Sequence, residues 1–296
     1  MKKVSIIVTR YNEPNSLINP CLVALSKQKD IVANVYFLDQ KKDKKIKSFC
    51  EKLSSKNIKI IYKNIPAKSL SYARNKGISL SKTEIILFID ADAIPLQDWA
   101  FELAKIFNSK KKIAVVGGKT NPKWLINPKW YHNSNILMET YSDLDLGGGI
   151  KEVDRITGGN AGLNKKILKE ETFFDENLGR RPGSLLSGEE CDLCKRTKKK
   201  GFRIFYNGNA IIQHQIQKER MNLSWVMKRF YWGGYGRAIM GGMPKTYTNK
   251  RNIYDKLILM IIFIPYLIGF LRGKMKCILV NILKIYNQPQ KNDPKK

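Results

Sequence analysis

The stretch IILFIDAD at residues 85–92 decides how this sequence can fold. Five consecutive apolar residues predict a strand that is buried on both faces, and Asp90 and Asp92 follow at its end. Two carboxylates in that position are typical either of a divalent-cation site with oxygen ligands or of turn residues that cap the next helix. The segments on both sides of the stretch have to decide between these two interpretations.

Segments that favour strands alternate with segments that favour helices over the first 118 residues. Strands are predicted at residues 4–8, 35–38, 58–62, 85–89 and 113–116, with helices at 15–25, 44–54, 69–80 and 97–107. Such alternation is typical of an α/β fold with a mostly parallel, doubly wound sheet, in which ligands bind outside the carboxyl ends of the strands. Asp39, Asp90 and Asp92 all fall at that edge of the predicted sheet.

The second half of the chain is less regular. Residues 119–160 are rich in Trp, Asn, Pro and Gly and show no clear periodicity. Beyond them, helices are predicted at 188–200 and 223–240, and a strand at 203–206. The apolar segment 254–272 and the amphipathic segment 275–286 predict two further helices, and the polar residues 288–296 predict a disordered tail.

The composition excludes several classes of protein. Of the 296 residues, 43% are apolar, which is enough for an ordinary core and excludes an intrinsically disordered chain. The five cysteines are scattered and odd in number, which indicates a reducing compartment rather than a disulfide scaffold. The first apolar run is too short for a secretion signal, so none is predicted.

The charge of the chain raises the question of a nucleic-acid partner. Lys and Arg total 54 against 25 Asp and Glu, a formal net charge of +29, so a basic nucleic-acid-binding protein is one alternative. However, 42 of these cations are Lys and only 12 are Arg, whereas base-edge recognition relies on Arg. No nucleic-acid-binding motif accompanies the charge. We therefore expect no nucleic acid among the partners and interpret most of the charge as a solvated, Lys-rich surface.

The C-terminal quarter combines positive charge with apolar residues. Residues 218–296 carry 16 basic and 3 acidic side chains around the apolar run 257–271, a combination that suits an anionic cytoplasmic membrane surface. As a helix that run is about 22 Å long, short of a hydrocarbon core of about 30 Å. We therefore expect a shallow or re-entrant helix pair at the inner face of the cell membrane. The alternative is a buried hairpin that covers the rest of the chain.

Other enzyme families with similar sheets do not match the motifs. A haloacid-dehalogenase phosphatase would carry its Asp-x-Asp after the first strand, whereas here the pair follows the fourth. A P-loop would need a glycine-rich run that ends in Gly-Lys-Ser/Thr, and the sequence has none. Nucleotidyltransferases and Rossmann dehydrogenases need a glycine-rich loop after the first strand, and residues 9–13 (TRYNE) contain no glycine.

Five motifs occur in an order that resembles glycosyltransferase family 2, the nucleotide-sugar transferases with the GT-A fold. They are VSIIVTRYNE at 4–13, the acid Asp39 after the second strand, ARNKGI at 73–78, FIDAD at 88–92 and GEECDL at 188–193. The resemblance covers residues 3–240 and implies the GT-A fold, and the apolar, basic segment beyond it predicts a helical, membrane-associated appendix. The implied layout is a catalytic domain at 1–240, with a nucleotide-binding half at 1–118 and an acceptor-binding half at 119–240, then an appendix at 241–287 and a tail at 288–296.

The resemblance also implies a role for each matched residue. Asp39 would accept a hydrogen bond from a pyrimidine base, usually uracil, and Arg74 would face the nucleotide or its phosphates. The implied nucleotide-sugar site consists of Thr9, Tyr11, Glu13, Asp39, Arg74, Asp90, Gly159 and Asn160. The implied ligands of the metal are Asp92, Asp90 and His214. Asp39 is followed by Gln40 where the family commonly has a second Asp, so the loop that reads the base is altered.

The implied catalytic base is a carboxylate of the fifth motif. A sugar hydroxyl is a poor nucleophile, and a carboxylate within hydrogen-bond reach takes its proton as it attacks the anomeric carbon. The family has Glu-Asp where this chain has Glu189 and Glu190. We take Glu190 as the base and Glu189 as the second candidate. The alternative is an acidic first helical turn, where carboxylates stabilise the helix dipole.

Together these features predict an inverting glycosyltransferase that uses a divalent metal, Mn²⁺ or Mg²⁺. Its donor would be a nucleotide-diphosphate sugar, UDP-linked for preference, and its acceptor a hydroxyl of a glycan or of a lipid-linked molecule at the anionic surface of the membrane. A catalytically inactive scaffold with the same fold is a further alternative. The retained Asp90, Asp92, Glu189 and Glu190 argue against that alternative.

Overall fold

A computed structural model describes residues 1–108, 112–168, 173–242 and 252–286, the last six of them by their backbone. The strands are β1 Lys2–Arg10, β2 Ile31–Asp39, β3 Ile58–Asn64, β4 Ile85–Asp90, β5 Ala93–Pro95, β6 Ile113–Trp124, β7 Ile150–Glu152, β8 Asn160–Asn164 and β9 Arg203–Ile216. The helices are α1 Asn15–Ser26, α2 Lys44–Leu53, α3 Leu70–Leu80, α4 Trp99–Ile106, α5 Asn135–Thr140, α6 Glu189–Lys199, α7 Leu223–Met240 and α8 Ile253–Tyr286. The predicted tail at 288–296 lies outside the described residues.

The strands form one mixed sheet in the order β3-β2-β1-β4-β8-β6-β9-β5, with β7 paired to β9. The first four of these strands are parallel, as predicted. Strand β6 runs in the same direction as β4, but β8, which the sequence did not predict, lies between them and is antiparallel to both. Strand β8 (NAGLN) is short and contains glycine, so its sequence carries almost no strand signal.

Two apolar layers cover the two faces of the sheet. On one face, Leu22 of α1 and Trp99 of α4 pack with Phe37 of β2. On the other face, Ile78 of α3 and Leu193 of α6 belong to a second buried cluster. Helices on both faces hold the sheet edge rigidly, so side chains at the carboxyl ends of β1 and β4 have fixed positions.

Helices α7 and α8 pack tightly beside this domain. A Cβ at Gly234 of α7 would lie 2.1 Å from the carbonyl oxygen of Tyr266, so the two backbones can approach only because that residue is glycine. Near its N-terminus α8 buries Ile258 and Ile262 in a third apolar cluster. The carboxylate of Asp255 accepts hydrogen bonds from the Ser134 hydroxyl (2.7 Å) and the backbone N–H of Ile136 (3.0 Å).

The structure corrects the expected helix pair at 254–286. Ile253–Tyr286 form one continuous helix of 34 residues, about 51 Å long, which passes through Pro265 without ending. At Gly273, between the two predicted helices, the backbone packs closely on α7: a Cβ there would lie 2.7 Å from the Tyr235 carbonyl oxygen. Residues 253–280 are long and apolar enough to cross a membrane by length and composition. The apolar run 257–271 is therefore only part of a longer helix, and its length alone does not exclude a membrane span.

Candidate active site

A cavity of about 540 Å³ opens at the carboxyl ends of β1 and β4, opposite the N-terminus of α6. Nine of the predicted site residues line it: Thr9, Tyr11, Glu13, Arg74, Asp90, Asp92, Gly159, Glu189 and Glu190. Asp39, Asn160 and His214 are not among the lining residues. Residues that are up to 181 positions apart in the sequence thus meet around one space, as the predicted parallel sheet requires.

Arg74 joins the two acidic motifs across the cavity. Helix α3 begins at Ser69, whose hydroxyl accepts a hydrogen bond from the backbone N–H of Tyr72, and Arg74 follows on its buried face. The guanidinium donates to Glu189 at 2.9 Å and to Asp90 at 3.2 Å. Both bonds are charge-assisted, and Arg74 is 2% exposed, so it fixes the end of β4 against the start of α6.

Glu189 and Glu190 form the first turn of α6, which starts abruptly after Gly188. Gly188 has φ +113°, a conformation that favours glycine, and it turns the chain so that both carboxylates face the cavity. Burial and the neighbouring Glu190 raise the pKa of Glu189 to about 7, although Arg74 acts in the opposite direction. The Oε2 atoms of both side chains are buried and lack a hydrogen-bond partner within the described residues. Each therefore retains a lone pair that is able to accept a proton.

Asp92 and His214 are held together by strand pairing. Strand β5 pairs with β9 so that Ala93 is opposite His214, and this places the imidazole Nε2 3.5 Å from the Asp92 carboxylate. Arg220 donates to the same carboxylate at 2.9 Å. Burial alone would raise the pKa of Asp92, but Arg220 and His214 outweigh it and hold this pKa well below its usual range. Asp92 is consequently an anion throughout the neutral pH range.

The donor atoms at Asp92 fit a divalent metal. His214 Nδ1 lies 2.7 Å from the carbonyl oxygen of Tyr141, so Nδ1 carries the proton, and the Nε2 lone pair accepts a hydrogen bond from Arg220 Nη1 at 3.2 Å. That orientation of a histidine by a backbone carbonyl is typical of metal sites. The described residues contain no group of three or more His, Cys, Asp or Glu side chains that could hold a metal by themselves. A metal at Asp92 and His214 would therefore need further oxygen ligands from a bound molecule, such as a diphosphate.

Asp90 contacts Arg74 and the backbone of Gly159. A Cβ at Gly159 would lie 2.4 Å from Asp90 Oδ2, so only glycine allows this close approach. The Asp90 carboxylate is 33% exposed and is bound to Arg74, whereas Arg220 and Gln217 donate to Asp92 and His214 Nε2 lies 3.5 Å from it. The two acids of the motif therefore have different cationic partners: Arg74 for Asp90 and Arg220 for Asp92.

The loop after β1 is shaped by its own acid. Glu13 accepts hydrogen bonds from the backbone N–H groups of Tyr11 (2.8 Å) and Asn12 (3.1 Å), so its carboxylate folds back under the loop. Burial and the charge of Asp92 raise the pKa of Glu13. Tyr11 is 43% exposed at the rim of the cavity, as a side chain that stacks on a ligand would be.

Asp39 lies at the end of β2 but does not line the cavity. Its carboxylate is fully buried and accepts hydrogen bonds from the Tyr62 hydroxyl (2.7 Å), the backbone N–H of Lys41 (2.9 Å) and Arg10 (3.3 Å). These donors occupy both oxygens, so Asp39 stabilises the β1 and β2 ends from beneath the cavity. Gln40, the next residue, lines the cavity instead, and its buried Oε1 has no hydrogen-bond partner within the described part of the chain.

Asn160 lies inside the sheet, where its side chain is held by three hydrogen bonds. Its carboxamide accepts from the indole N–H of Trp99 (2.8 Å) and donates to the carbonyl oxygens of Lys119 (2.8 Å) and Ala210 (3.0 Å). The side chain is fully buried, because it joins three strands and α4 inside the sheet. Its hydrogen-bonding capacity is almost fully used, which leaves no group for a ligand.

Sequence reasoning missed the arginines of the second half. Arg155, Arg180, Arg181, Arg220 and Arg229 line the cavity together with Arg74. Six of the 12 arginines of the chain therefore lie here, against one of its 42 lysines, Lys228. In a chain this rich in Lys, the few Arg residues could have indicated the anion-binding positions, because the planar guanidinium binds anions bidentately.

Comparisons with known proteins agree with this geometry. Residues 5–172 match the family model described as glycosyl transferase family 2. A glucosyl-dolichyl phosphate glucuronosyltransferase from Haloferax volcanii is 24% identical over 204 residues, which are 68% of this chain and 65% of that protein. A pre-mycofactocin glycosyltransferase from Mycobacterium tuberculosis is 23% identical over 57% of this chain and 34% of its own length. The chain thus spans less than two thirds of the length of these relatives.

Solved structures show the same fold. GalNAc-T7, crystallised with UDP, GalNAc and Mn²⁺, superposes with a TM-score of 0.58 at 12% identity, over 98% of this chain and 59% of the other. The mannosyltransferase PcManGT from Pyrobaculum calidifontis, in complex with GDP-Man and Mn²⁺, gives 0.57 at 15% identity, over 97% and 76%. These likenesses confirm the predicted GT-A fold with its C-terminal helical appendix.

Proposed function

The chain belongs to glycosyltransferase family 2, and on this basis we propose that it transfers a sugar from a UDP-linked donor to a hydroxyl acceptor with inversion. One observation carries the proposal. Arg74 binds Asp90 at the end of β4 and Glu189 at the start of α6, so that one cavity holds both acidic motifs. An inactive scaffold would have no need to maintain two buried carboxylate motifs at such close range, since unpaired buried charge is destabilising.

The donor would bind on the β1 and β4 side of the cavity. Tyr11 at the rim and Thr9 below it would face the nucleoside, and the free Oε1 of Gln40 would accept a hydrogen bond from an N–H of the base. Asp90 beside Gly159 would bind hydroxyls of the ribose or of the sugar. We propose UDP as the nucleotide, as the family resemblance implies, and the unpartnered Oε1 of Gln40 could accept from the ring N–H of uracil.

The metal would be held by Asp92 and His214. We propose Mn²⁺ or Mg²⁺, and the neighbours crystallised with Mn²⁺ support this choice. When bound, the metal would neutralise charge that develops on the leaving diphosphate. Arg220, at 2.9 Å from Asp92, would orient that carboxylate and would itself bind a phosphate oxygen.

Glu190 would take the proton of the acceptor hydroxyl. Arg74 donates to Glu189, whereas the Glu190 carboxylate is in no ion pair within the described residues. Because Arg74 engages Glu189, we assign the base to Glu190 and give Glu189 the role of holding Arg74 in place. A base opposite the leaving diphosphate gives inversion at the anomeric carbon. The two carboxylates are close enough to share protons, so the assignment has to be tested residue by residue. A larger loss of turnover in Glu189→Gln than in Glu190→Gln would contradict it.

The appendix would place the enzyme on the cytoplasmic face of the cell membrane. Helix α8 exposes large apolar side chains along most of its length, among them Met260, Phe263, Ile264, Leu267, Ile268 and Leu271. Such a surface in contact with water is unfavourable, and Lys256, Arg272 and Lys274 beside it would meet anionic headgroups. This proposal keeps the predicted layout, with a catalytic domain at 1–240 and an appendix at 241–287. The acceptor would be a glycan or a lipid-linked molecule at that surface.

The experiment that tests the proposal is a thermal-shift screen of the full chain. UDP-, GDP- and dTDP-sugars are compared with and without Mn²⁺. We expect UDP-sugars with Mn²⁺ to raise the Tm, because a ligand that binds only the folded state stabilises it, and the Tm should rise further as the ligand concentration exceeds Kd. Asp92→Asn should abolish the metal-dependent part of the shift, whereas the exposed Asp98→Asn should not. Absence of a shift with all three donors, or an undiminished shift in Asp92→Asn, would contradict the proposal.

A further inference from the structure

The start of α8 is bonded to the start of α5. One oxygen of the fully buried Asp255 carboxylate accepts hydrogen bonds from the Ser134 hydroxyl (2.7 Å) and the backbone N–H of Ile136 (3.0 Å). The other oxygen accepts from the backbone N–H of Asn252 at 2.8 Å. Asp255 thus satisfies a backbone donor in the first turn of α5, a helix of only six residues. Because so short a helix has little stability of its own, its position depends on the segments to which it is bonded.

Apolar side chains of α8 continue this contact to the other end of α5. Ile258 and Ile262 are buried in the same cluster as Leu137 of α5 and Tyr141, the residue directly after that helix. Tyr141 is 1% exposed, and its ring stacks on that of Trp225 with the centroids 5.4 Å apart. The position of Tyr141 is therefore set by α5 and by the side of α8 that faces the domain.

Tyr141 in turn is bonded to two residues that contact the Asp92 carboxylate. Its carbonyl oxygen lies 2.7 Å from His214 Nδ1, and its hydroxyl donates to the backbone carbonyl of Arg220 at 3.0 Å. Arg220 donates to Asp92 at 2.9 Å, and His214 Nε2 lies 3.5 Å from the same carboxylate. A backbone carbonyl that binds one nitrogen of a histidine fixes both the tautomer and the orientation of the ring. One residue, Tyr141, thus holds both partners of Asp92.

We infer that α8 contributes to the metal and diphosphate site, because it positions His214 and Arg220 through α5 and Tyr141. This inference rests on the proposed function, which assigns the metal to Asp92 and His214. Asp255 and Tyr141 are positioning residues, since they are not among the residues that line the cavity and act through the side chains they hold. The helix therefore has a role in donor binding besides the membrane contact proposed for its exposed face.

The first measurement is the affinity of the full chain for UDP with and without Mn²⁺, by isothermal titration calorimetry. The ratio of the two affinities reports the metal site alone, because the proposed contacts of the base at Tyr11 and Gln40 involve neither α5 nor α8. We expect Asp255→Ala to lower this ratio by about fivefold or more, the scale of one lost hydrogen bond. Asp255→Asn keeps an acceptor oxygen and should retain most of the ratio. Tyr141→Phe, which removes the hydroxyl bonded to Arg220, should lower it in the same sense.

Two control variants remove bonds of the same kind elsewhere in the fold. Asp43 accepts hydrogen bonds from two backbone N–H groups at the start of α2, so Asp43→Ala is the control for Asp255→Ala. The buried Tyr206 hydroxyl accepts from the backbone N–H of Leu146 at 3.2 Å, so Tyr206→Phe is the control for Tyr141→Phe. Both controls should lower the free energy of unfolding and leave the ratio unchanged within about twofold.

The second measurement needs neither nucleotide nor metal. The chain has two histidines, and the structure gives them opposite neutral tautomers. His132 Nδ1 accepts from the backbone N–H of Lys129 at 2.8 Å, whereas His214 Nδ1 donates to the Tyr141 carbonyl. In ¹⁵N NMR spectra of the free protein at about pH 8, where imidazoles are neutral, we expect one signal set for each tautomer. Asp255→Ala should convert the His214 signals to those of a mixture of tautomers, and Asp43→Ala should not.

The outcomes separate this inference from the proposed function. In a parent whose UDP affinity depends on Mn²⁺, an unchanged ratio or an unchanged His214 tautomer in Asp255→Ala would overturn the inference. A parent whose UDP affinity does not depend on Mn²⁺ would contradict the metal assignment of the proposed function, and the tautomer of His214 would then decide the inference alone. Where Asp255→Ala does not fold, Ser134→Ala removes one bond of the same contact and takes its place in both measurements.

Discussion

Arg74→Met should destabilise the folded protein in a way that depends on pH. The substitution keeps most of the side-chain volume but removes the bonds to Glu189 (2.9 Å) and Asp90 (3.2 Å). Breaking a buried ion pair by removal of one partner typically destabilises by about 3–5 kcal/mol. The Glu189 bond accounts for most of this, because that side chain is 4% exposed, whereas Asp90 is 33% exposed and is screened by water.

The pH dependence follows from the pKa of Glu189. Its pKa rises from 4.5 in the unfolded chain to about 7 in the folded protein, which corresponds to roughly 3 kcal/mol. Because the folded pKa is the higher one, this stability is fully present below pH 4.5 and is lost as the pH rises through 7. Removal of Arg74 raises the folded pKa further, so the loss continues to higher pH. Arg74→Met should therefore be most destabilising at about pH 8.5 and least at about pH 5.5.

The measurement is urea denaturation of parent and variant at these two pH values. Lys76→Met, an exposed cation on the same helix, is the control and should change the free energy of unfolding by less than about 0.5 kcal/mol. Addition of Glu189→Gln to Arg74→Met should recover much of the loss at pH 8.5, since it removes the unpaired buried charge. An equal loss at both pH values without recovery in the double variant would refute the reasoning.

The remaining predictions concern turnover, the β1–β2 edge and the membrane. Glu190→Gln should lower kcat by about 10²-fold or more with little change in donor binding, and Glu189→Gln should lower it less; the reverse order would make Glu189 the base. Asp39→Asn should lower the free energy of unfolding by about 1–3 kcal/mol in urea titrations, because Arg10 loses a buried charged partner, and an unchanged midpoint would be inconsistent with its enclosed position. The double substitution Ile264→Glu with Ile268→Glu should release the full chain from anionic vesicles in sedimentation assays, and retention equal to that of the parent would exclude α8 as the contact surface.

Point substitutions are preferable to truncation in that last experiment. Removal of the chain beyond residue 248 would also remove Ile258 and Ile262, which belong to the third apolar cluster, and Asp255, which binds Ser134. A truncated protein would therefore lose core contacts together with the exposed face, and its solubility would report both changes. Ile264 and Ile268 are 64% and 54% exposed, so their replacement leaves that cluster intact.

The first half of the fold could be predicted because its signals are local. Buried strands such as β4 are continuous apolar runs, and the α3 start is marked by the Ser69 cap. Strand β8 escaped prediction because what selects it is its neighbours, β4 and β6, rather than its own residues. The single helix α8 escaped for a similar reason, since close packing against α7 overrides the Pro265 and glycine signals.

The candidate site could be predicted in position more readily than in detail. The motifs identified nine residues that line the cavity, because parallel strands bring their carboxyl ends to one edge. Whether a polar side chain faces the cavity or the core depends on its partners, and the sequence does not show these. Asp39 pairs with Arg10, and Asn160 with Trp99, so both turn inward. Gln40 and Arg180 lie on irregular segments, where no periodicity indicates direction.

The attachment of α8 sets the mechanical character of the molecule. Asp255 binds the start of the helix to the domain, and Gly234 and Gly273 allow close packing between α7 and α8 at two separate places, so α8 is attached to the domain along several turns. By contrast, a catalytic domain joined to a membrane helix by a flexible linker would reach acceptors at many distances from the bilayer. If α8 binds the membrane as proposed, a domain attached this closely to it would stay at one height and tilt relative to the lipid surface. The enzyme would then select acceptors partly by the distance of their hydroxyl group from the lipid surface.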